Sequence, residues 1–181
     1  MSRLTIPTVD TAPQASQAIL DAVHKQLGVV PNLFRLIAQS PAALQGFTAN
    51  SGALAKTLDV KTRERIALAV AQINGCDYCL SAHSYLGLNL AKLSAEEITL
   101  NRQGRSADAK ANAAVQFAAK VVRERGQVSA ADVLALREAG YSDANIVEIV
   151  AIAAENIFTN LINLVADTEI DFPVVRAADL A

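Results

Sequence analysis

Both cysteines of this 181-residue chain and one of its two histidines lie in the segment INGCDYCLSAH, residues 73–83. If a helix begins just after Gly75, Cys76, Cys79 and His83 share one face of it. His83 is then one turn from Cys79, so its imidazole can accept the proton of the Cys79 thiol. Cys76 is close enough to Cys79 to form a disulfide. The spacing predicts a nucleophile–base pair beside a second thiol.

Glu64 is the candidate third member of this group. If the preceding helix turns back at Gly75, residue 64 and His83 differ in register by three residues, roughly 4.5 Å of helix rise. The two side chains can span that offset, and a carboxylate there would orient His83 and raise its basicity. Tyr78, between the cysteines, is an accessory candidate that could donate a hydrogen bond to a peroxide or thiolate, or could serve packing.

Two physical effects compete over which cysteine attacks. Cys76 lies nearer the helix N-terminus, where the dipole favours its thiolate by about 0.3–1 kcal/mol, or ~2 when partly buried. Cys79 has His83 within reach, and general-base assistance contributes roughly 10²–10⁴ in rate. The base has the larger effect, so we expect Cys79 to be the nucleophile.

The same residues could serve other chemistries. A thioredoxin-type site needs a βαβ pattern, which the sequence lacks, and covalent c-type haem needs a histidine where Leu80 stands. Zinc bound by Cys76, Cys79 and His83, with Glu64 or water as fourth ligand, stays open, although no second CxxC pair would close a structural site. We expect no metal and no cofactor. The plainest alternative is that both cysteines are buried as small apolar residues.

Helix start and stop signals follow one another along the chain. Ser40 precedes Pro41 as an N-cap, and Ser94 with Glu97 predicts a capping box. The run DVKTRERIALAVAQING ends at Gly75, and the serine before DANIVEIVAIAAENIFTNLINLVA is again an N-cap. Only DFPVV near the end could be extended, and it contains a proline. The predicted fold class is therefore all-α.

The length fits one domain, residues 1–181. We divide it into N-terminal helices (1–58), a motif-bearing core (59–167) and an extended tail (168–181) that lies on the surface or on a partner subunit. One internal similarity hints at a duplicated helix pair. The segments that begin at Glu64 and Glu148 each carry a polar pair 12 and 15 residues later, Cys76 and Cys79 in the first, Asn160 and Asn163 in the second.

The composition indicates which kinds of binding partner are disfavoured. The chain is 52% hydrophobic with a net charge of −2, which favours neither nucleic acid nor an anionic membrane. No apolar run approaches the roughly 20 residues that cross a bilayer, and no secretory signal is evident. We therefore expect a cytoplasmic protein whose two cysteines rest as thiols, with any disulfide transient.

The pattern E-x11-C-x2-C-x3-H, carried by Glu64, Cys76, Cys79 and His83, resembles the signature of the AhpD-like alkyl hydroperoxidases of the carboxymuconolactone decarboxylase superfamily. The segment TRERIALAVAQINGCDYCLSAH is especially similar to the sequences of the peroxidase-related branch. The resemblance continues in GVVPNLFRLIAQSP before the motif and in SDANIVEIVAIAAENIFTN and TEIDFP after it, so it covers most of the chain.

The resemblance implies an AhpD-like helical bundle, assembly into trimers or hexamers, and thiol-dependent reduction of hydroperoxides. Cys79 would become the sulfenic acid, and Cys76 would supply a proton and resolve it to a disulfide. Glu64 and His83 would form the proton relay. A thiol or a lipoylated partner protein would re-reduce the disulfide. Tyr78 is a departure, since the best-studied AhpD enzymes have histidine there.

The expected function is antioxidant defence by a cytoplasmic peroxidase acting on organic hydroperoxides. The rival enzyme class is a carboxymuconolactone-decarboxylase-like lyase that uses His83 and Glu64 as acid and base. A non-enzymatic alternative is a redox-responsive protein whose disulfide changes its assembly.

Overall fold

The computed structural model describes residues 2–180, which form nine α-helices and a closing 3-10 turn without any β-strand. The all-α prediction is confirmed. The bounds are α1 Gln14–Leu27, α2 Asn32–Ile37, α3 Pro41–Leu54, α4 Val60–Asn74, α5 Asp77–Asn89, α6 Ala95–Arg102, α7 Ala109–Arg123, α8 Ala130–Glu138, α9 Asp143–Ala166 and the 3-10 turn Ala177–Asp179.

Short polar side chains begin most of these helices. Ser40, Asp59 and Asp108 each accept a hydrogen bond from a backbone amide three residues later, which satisfies one of the unpaired donors of a helix start. Ser94 does the same for the Glu97 amide (3.2 Å). The predicted capping box at α6 is only half formed, because the Glu97 carboxylate turns to Arg65 instead (2.7 Å).

α4 is the central helix and packs against α5, α6, α7 and α9. Its middle residues are buried on every side, as expected for a helix surrounded by others. One apolar cluster joins α4 to α7, α8 and α9; a second surrounds the cysteines; a third joins α1 to α3. The buried residues of α4 are Thr62, Ile66, Ala67, Leu68, Ala69, Val70 and Ala71.

Our expectation that no apolar run approaches the length of a membrane span is wrong for α9. By length and composition alone, this 24-residue helix is long and apolar enough to cross a bilayer. Core helices of soluble proteins meet the same criterion. In the structure α9 packs against α4 and α7 and buries Asn156, Asn160 and Asn163.

The C-terminal tail packs on its own chain. Ile170, Phe172 and Val175 lie against the apolar cluster that contains the cysteines. Val175 donates its backbone amide to the Ser81 hydroxyl on α5 (2.9 Å), and Ala177 donates its own to the Asp77 carboxylate (2.8 Å). The tail is thus a strap across the N-terminal half of α5.

Candidate active site

The turn between α4 and α5 positions both cysteines. Gly75 adopts a left-handed conformation (φ 67°), which lets the Cys76 amide bond back to the Ala71 carbonyl (3.0 Å). Cys76 is then the N-cap of α5, and its Sγ accepts a hydrogen bond from the Cys79 amide (3.3 Å). The helix begins where the Asn-Gly stop signal predicts.

Cys76 and Cys79 form a disulfide, with Cα atoms 5.3 Å apart. Both residues are buried, with exposed fractions of 1% and 3%. This bonded pair is the disulfide that the sequence leads us to expect as a transient form. A CxxC pair at a helix start has the Cα separation that a disulfide requires, so the chain can hold both redox forms with little backbone movement.

A hydrogen bond of 2.8 Å joins His83 Nδ1 on α5 to Glu64 Oε2 on α4. Because a carboxylate can only accept a hydrogen bond, Nδ1 carries the hydrogen of this contact and Nε2 is the ring nitrogen left free to accept a proton. His83 follows Cys79 by one helical turn. The α4–α5 hairpin thus spans the register offset expected from the sequence and brings Glu64 to the histidine that neighbours Cys79.

Asn163 on α9 donates its side-chain amide to Cys79 Sγ (3.3 Å). The neighbouring Asn160 accepts a hydrogen bond from Asn74 (2.8 Å). These are the two asparagines that match the cysteines in the internal similarity. The segments differ in structure, because the first turns at Gly75 whereas the second lies within α9, so the similarity does not extend to a helix pair. Sequence analysis did not identify Asn163 as part of the site.

The Tyr78 hydroxyl accepts a hydrogen bond from the Leu33 backbone amide (3.1 Å). Its ring packs edge-on against Phe172 of the strap. Burial raises the pKa of Tyr78, and the nearby Asp171 carboxylate raises it further. These contacts hold the phenol neutral and fix its orientation, which agrees with the packing role considered for Tyr78.

A cavity of about 690 Å³ opens between α1, α2, α3, α4, α5 and α9. Its wall is mainly apolar, and its ionisable residues are Arg63, Glu64, His83 and Glu155. Tyr78 also lines it, whereas the cysteines do not. The apolar residues around it include Ile19, Val23, Leu27, Leu33, Phe34, Phe47, Leu86, Leu90, Ile152 and Phe172.

Glu155 is a second carboxyl group in this cavity that sequence analysis missed. Burial raises its pKa, while hydrogen bonds from Asn50 and Ser51 and the charges of His83 and Arg63 act in the opposite direction. The sequence feature that could have identified Glu155 is an acidic residue within the apolar run of α9. That signal is weak, since the position of α9 relative to the cavity depends on the packing of the whole bundle.

Comparisons with known proteins match the chain to one family and to several solved structures. Residues 40–124 match the carboxymuconolactone decarboxylase family, and this range contains Glu64, both cysteines and His83. An uncharacterised peroxidase-related protein of Ralstonia eutropha JMP134 with an alkylhydroperoxidase AhpD core has a TM-score of 0.83 and 28% identity, over 94% of this chain and 92% of that one.

The family match and the solved AhpD-core structure support the prediction of an AhpD-like member of the carboxymuconolactone decarboxylase superfamily. A peroxidase-related protein of Silicibacter sp. TM1040 is similar to the same extent, with a TM-score of 0.81 and 28% identity over 93% of this chain and 91% of that one. A debrominase has the same fold at 21% identity, with a TM-score of 0.75 over 94% of this chain and 91% of that one.

A curated relative of this AhpD-like chain, an uncharacterised protein of Haemophilus influenzae, is 50% identical over 48 residues. That match spans 25% of this chain and 42% of the relative. For the zinc alternative, residues 2–180 contain no group of three or more His, Cys, Asp or Glu side chains placed to bind a metal ion.

Proposed function

We propose that this AhpD-like chain is a thiol peroxidase that reduces organic hydroperoxides through Cys76 and Cys79. The observation that carries the proposal is the 2.8 Å hydrogen bond between Glu64 and His83, one helical turn from a CxxC pair. A peroxidase of this type needs a thiolate, a base that accepts its proton, and a second thiol to resolve the product. Each of these has a named residue here.

In the first step His83 Nε2 takes the proton of the Cys79 thiol. The thiolate attacks the terminal oxygen of ROOH, and the O–O bond breaks as the S–O bond forms. Cys79 becomes a sulfenic acid, and the alkoxide leaves as ROH with the proton that His83 held. Glu64 stabilises the imidazolium that forms between the two transfers.

In the second step the Cys76 sulfur attacks the sulfenic sulfur of Cys79. The disulfide forms, and the hydroxyl leaves as water with the proton supplied by Cys76. Two electrons from a dithiol then restore both thiols, by exchange through a mixed disulfide. A lipoylated protein is the reductant that the family resemblance favours.

The cavity supports an organic rather than a small inorganic hydroperoxide as substrate. Its apolar wall can bury a hydrocarbon group, and Glu64 and His83 lie where a polar end would meet them. We propose that the hydroperoxide group enters beside His83 with its carbon chain toward Phe34 and Phe47.

One observation favours a second candidate function. Glu64 and His83 line the cavity, but the sulfurs do not. A lyase related to carboxymuconolactone decarboxylase would need only an acid and a base among the residues that line the cavity. Both functions use the same histidine, so the cysteines must distinguish them.

The test is turnover of cumene hydroperoxide with dithiothreitol, dihydrolipoamide or thioredoxin as reductant. The wild-type chain should consume peroxide, and the Cys76→Ser/Cys79→Ser variant should not. A double variant that retains full peroxide turnover would refute the proposal. A lactone substrate decarboxylated equally by both proteins would favour the lyase.

We further propose that the chain acts in the cytoplasm as a homo-oligomer, a trimer or a hexamer, without nucleic acid or membrane partners. The exposed apolar face of α9, described below, supports the oligomer. A reducing compartment would supply the dithiol that each cycle consumes.

A further inference from the structure

A polar side chain, that of Asn163, lies against the Cys79 sulfur. Asn163 lies on the inner face of α9, is 3% exposed, and places Nδ2 3.3 Å from Cys79 Sγ. Its Oδ1 is buried and has no hydrogen-bond partner among residues 2–180. A buried polar atom without a partner carries a free-energy cost, so its presence beside a redox-active sulfur calls for an explanation.

The two sulfurs receive different donors. Cys76 Sγ accepts from the Cys79 backbone amide at the start of α5 (3.3 Å), so the helix N-terminus favours the Cys76 thiolate. Cys79 Sγ accepts from Asn163 instead. Because burial disfavours the charged form of a thiol, a buried Cys79 thiolate needs such a donor.

We propose that Asn163 stabilises the thiolate of Cys79 and so directs nucleophilic attack to Cys79 rather than Cys76. The inference deepens the proposed function, since it concerns the sulfur assigned to attack the peroxide. The same amide also suits the reduced thiol. If the Asn163 amide rotates so that Oδ1 takes the place of Nδ2, it offers an acceptor to the hydrogen that the Cys79 thiol gains on reduction.

The experiment measures the pKa of Cys79 directly, without peroxide. In a Cys76→Ser background, the rate of Cys79 alkylation by iodoacetamide is followed against pH, with and without Asn163→Leu. Hydrogen bonds to charged groups are strong enough that loss of the donor should slow alkylation at neutral pH roughly ten- to a hundredfold. The midpoint of the profile should move to higher pH.

Asn160→Leu is the matched control. Asn160 lies on the same helix, is equally buried and is bonded to Asn74 rather than to sulfur, so the Cys79 midpoint should stay at the wild-type pH. Asn163→Asp is a second variant of nearly identical shape, whose carboxylate repels a thiolate and should raise the midpoint beyond that of Asn163→Leu. Circular dichroism and thermal unfolding check that each variant folds.

A midpoint at or below the wild-type value in both Asn163 variants would overturn the inference. This experiment tests the inference independently of the proposed peroxidase function. If wild-type protein fails to turn over any hydroperoxide while the Asn163 variants raise the Cys79 midpoint, the proposed function falls and the inference stands.

Discussion

The Glu64 carboxylate determines which nitrogen of His83 can act as a base. We predict that Glu64→Gln leaves the fold intact but slows peroxide reduction roughly 10–100-fold, since a hydrogen bond to a charged group is worth about 1.5–3 kcal/mol. The rate is measured as hydroperoxide consumption across neutral pH. Glu148→Gln is the control, because Glu148 occupies the matching position of the internal similarity but is bonded to Asn145. Equal rates for both variants would show that the relay is wrong.

Ionisation of the partly buried Glu155 lowers the stability of the folded protein, so its effect depends on pH. Burial raises its pKa above that of the unfolded chain, so the folded protein loses stability as pH rises from the unfolded pKa through the folded one. We predict that Glu155→Gln raises the free energy of unfolding at pH 7 and leaves it unchanged at pH 3, where both side chains are neutral. Urea unfolding at the two pH values measures this. A variant less stable than wild type at pH 7 would contradict it.

At the residue scale, sequence could predict what helical periodicity brings together. Cys76, Cys79 and His83 lie within eight positions, and Glu64 follows from a single hairpin. Asn163 is 84 residues from Cys79, so its place beside the sulfur depends on how α9 packs against the other helices. No local pattern contains that information.

The Glu97 carboxylate joins α6 to α4 and to the loop before α7. It accepts hydrogen bonds from Arg65 (2.7 Å), Ser106 (2.5 Å), the Ala107 amide (2.9 Å) and Asn101 (3.0 Å). Burial acts to raise the pKa of Glu97, but these four donors outweigh it and bring the pKa to about 2.

We predict that Glu97→Gln lowers the free energy of unfolding at pH 7 by roughly 1–3 kcal/mol, because a neutral amide cannot accept hydrogen bonds from all four donors. Because the pKa is lowered, this stabilisation is complete above the unfolded pKa of 4.5 and is lost as pH falls toward 2. Chemical denaturation between pH 7 and pH 3 measures the change. Glu96→Gln, on the exposed side of the same turn, is the control and should have a small effect. Equal losses for both would mean that the buried contacts contribute little.

At the element scale, capping residues and glycine stops predicted the helices because those signals are local. The half-formed capping box at Ser94 shows the limit of this approach. A sequence pattern can state that Glu97 is able to return to its own helix start, but not that Arg65 competes for it. The strap is a similar case. Its apolar side chains are evident in TEIDFPVV, but their contact with the cysteine cluster depends on tertiary structure.

α9 presents an apolar stripe on its outer face, made of Val147, Val150, Phe158, Leu161 and Val165. Successive members are spaced by three or four residues, except across Ala154, which is also exposed. Leu161 and Val165 are 54% and 63% exposed. Such a continuous stripe is typical of a helix that packs against another subunit.

We predict that the wild-type chain sediments as a stable oligomer at micromolar concentration and that Leu161→Glu shifts it toward monomer. Leu134→Glu, at a similarly exposed leucine on α8, should leave the oligomer intact. Sedimentation velocity distinguishes the species, and a wild-type monomer would remove this prediction. An oligomer that differs between oxidised and reduced protein, with no peroxide turnover, would favour the redox-responsive alternative.

The most direct measurement is the location of the sulfenic acid after one equivalent of hydroperoxide. Reduced Cys76→Ser and Cys79→Ser proteins are each treated with cumene hydroperoxide and dimedone, and the labelled residue is identified by mass spectrometry. We predict that Cys76→Ser consumes one equivalent and carries the label on Cys79, while Cys79→Ser is inert. A label on Cys76 in the Cys79→Ser protein, with none on Cys79 in the other, would reverse the roles and exclude His83 as the activating base.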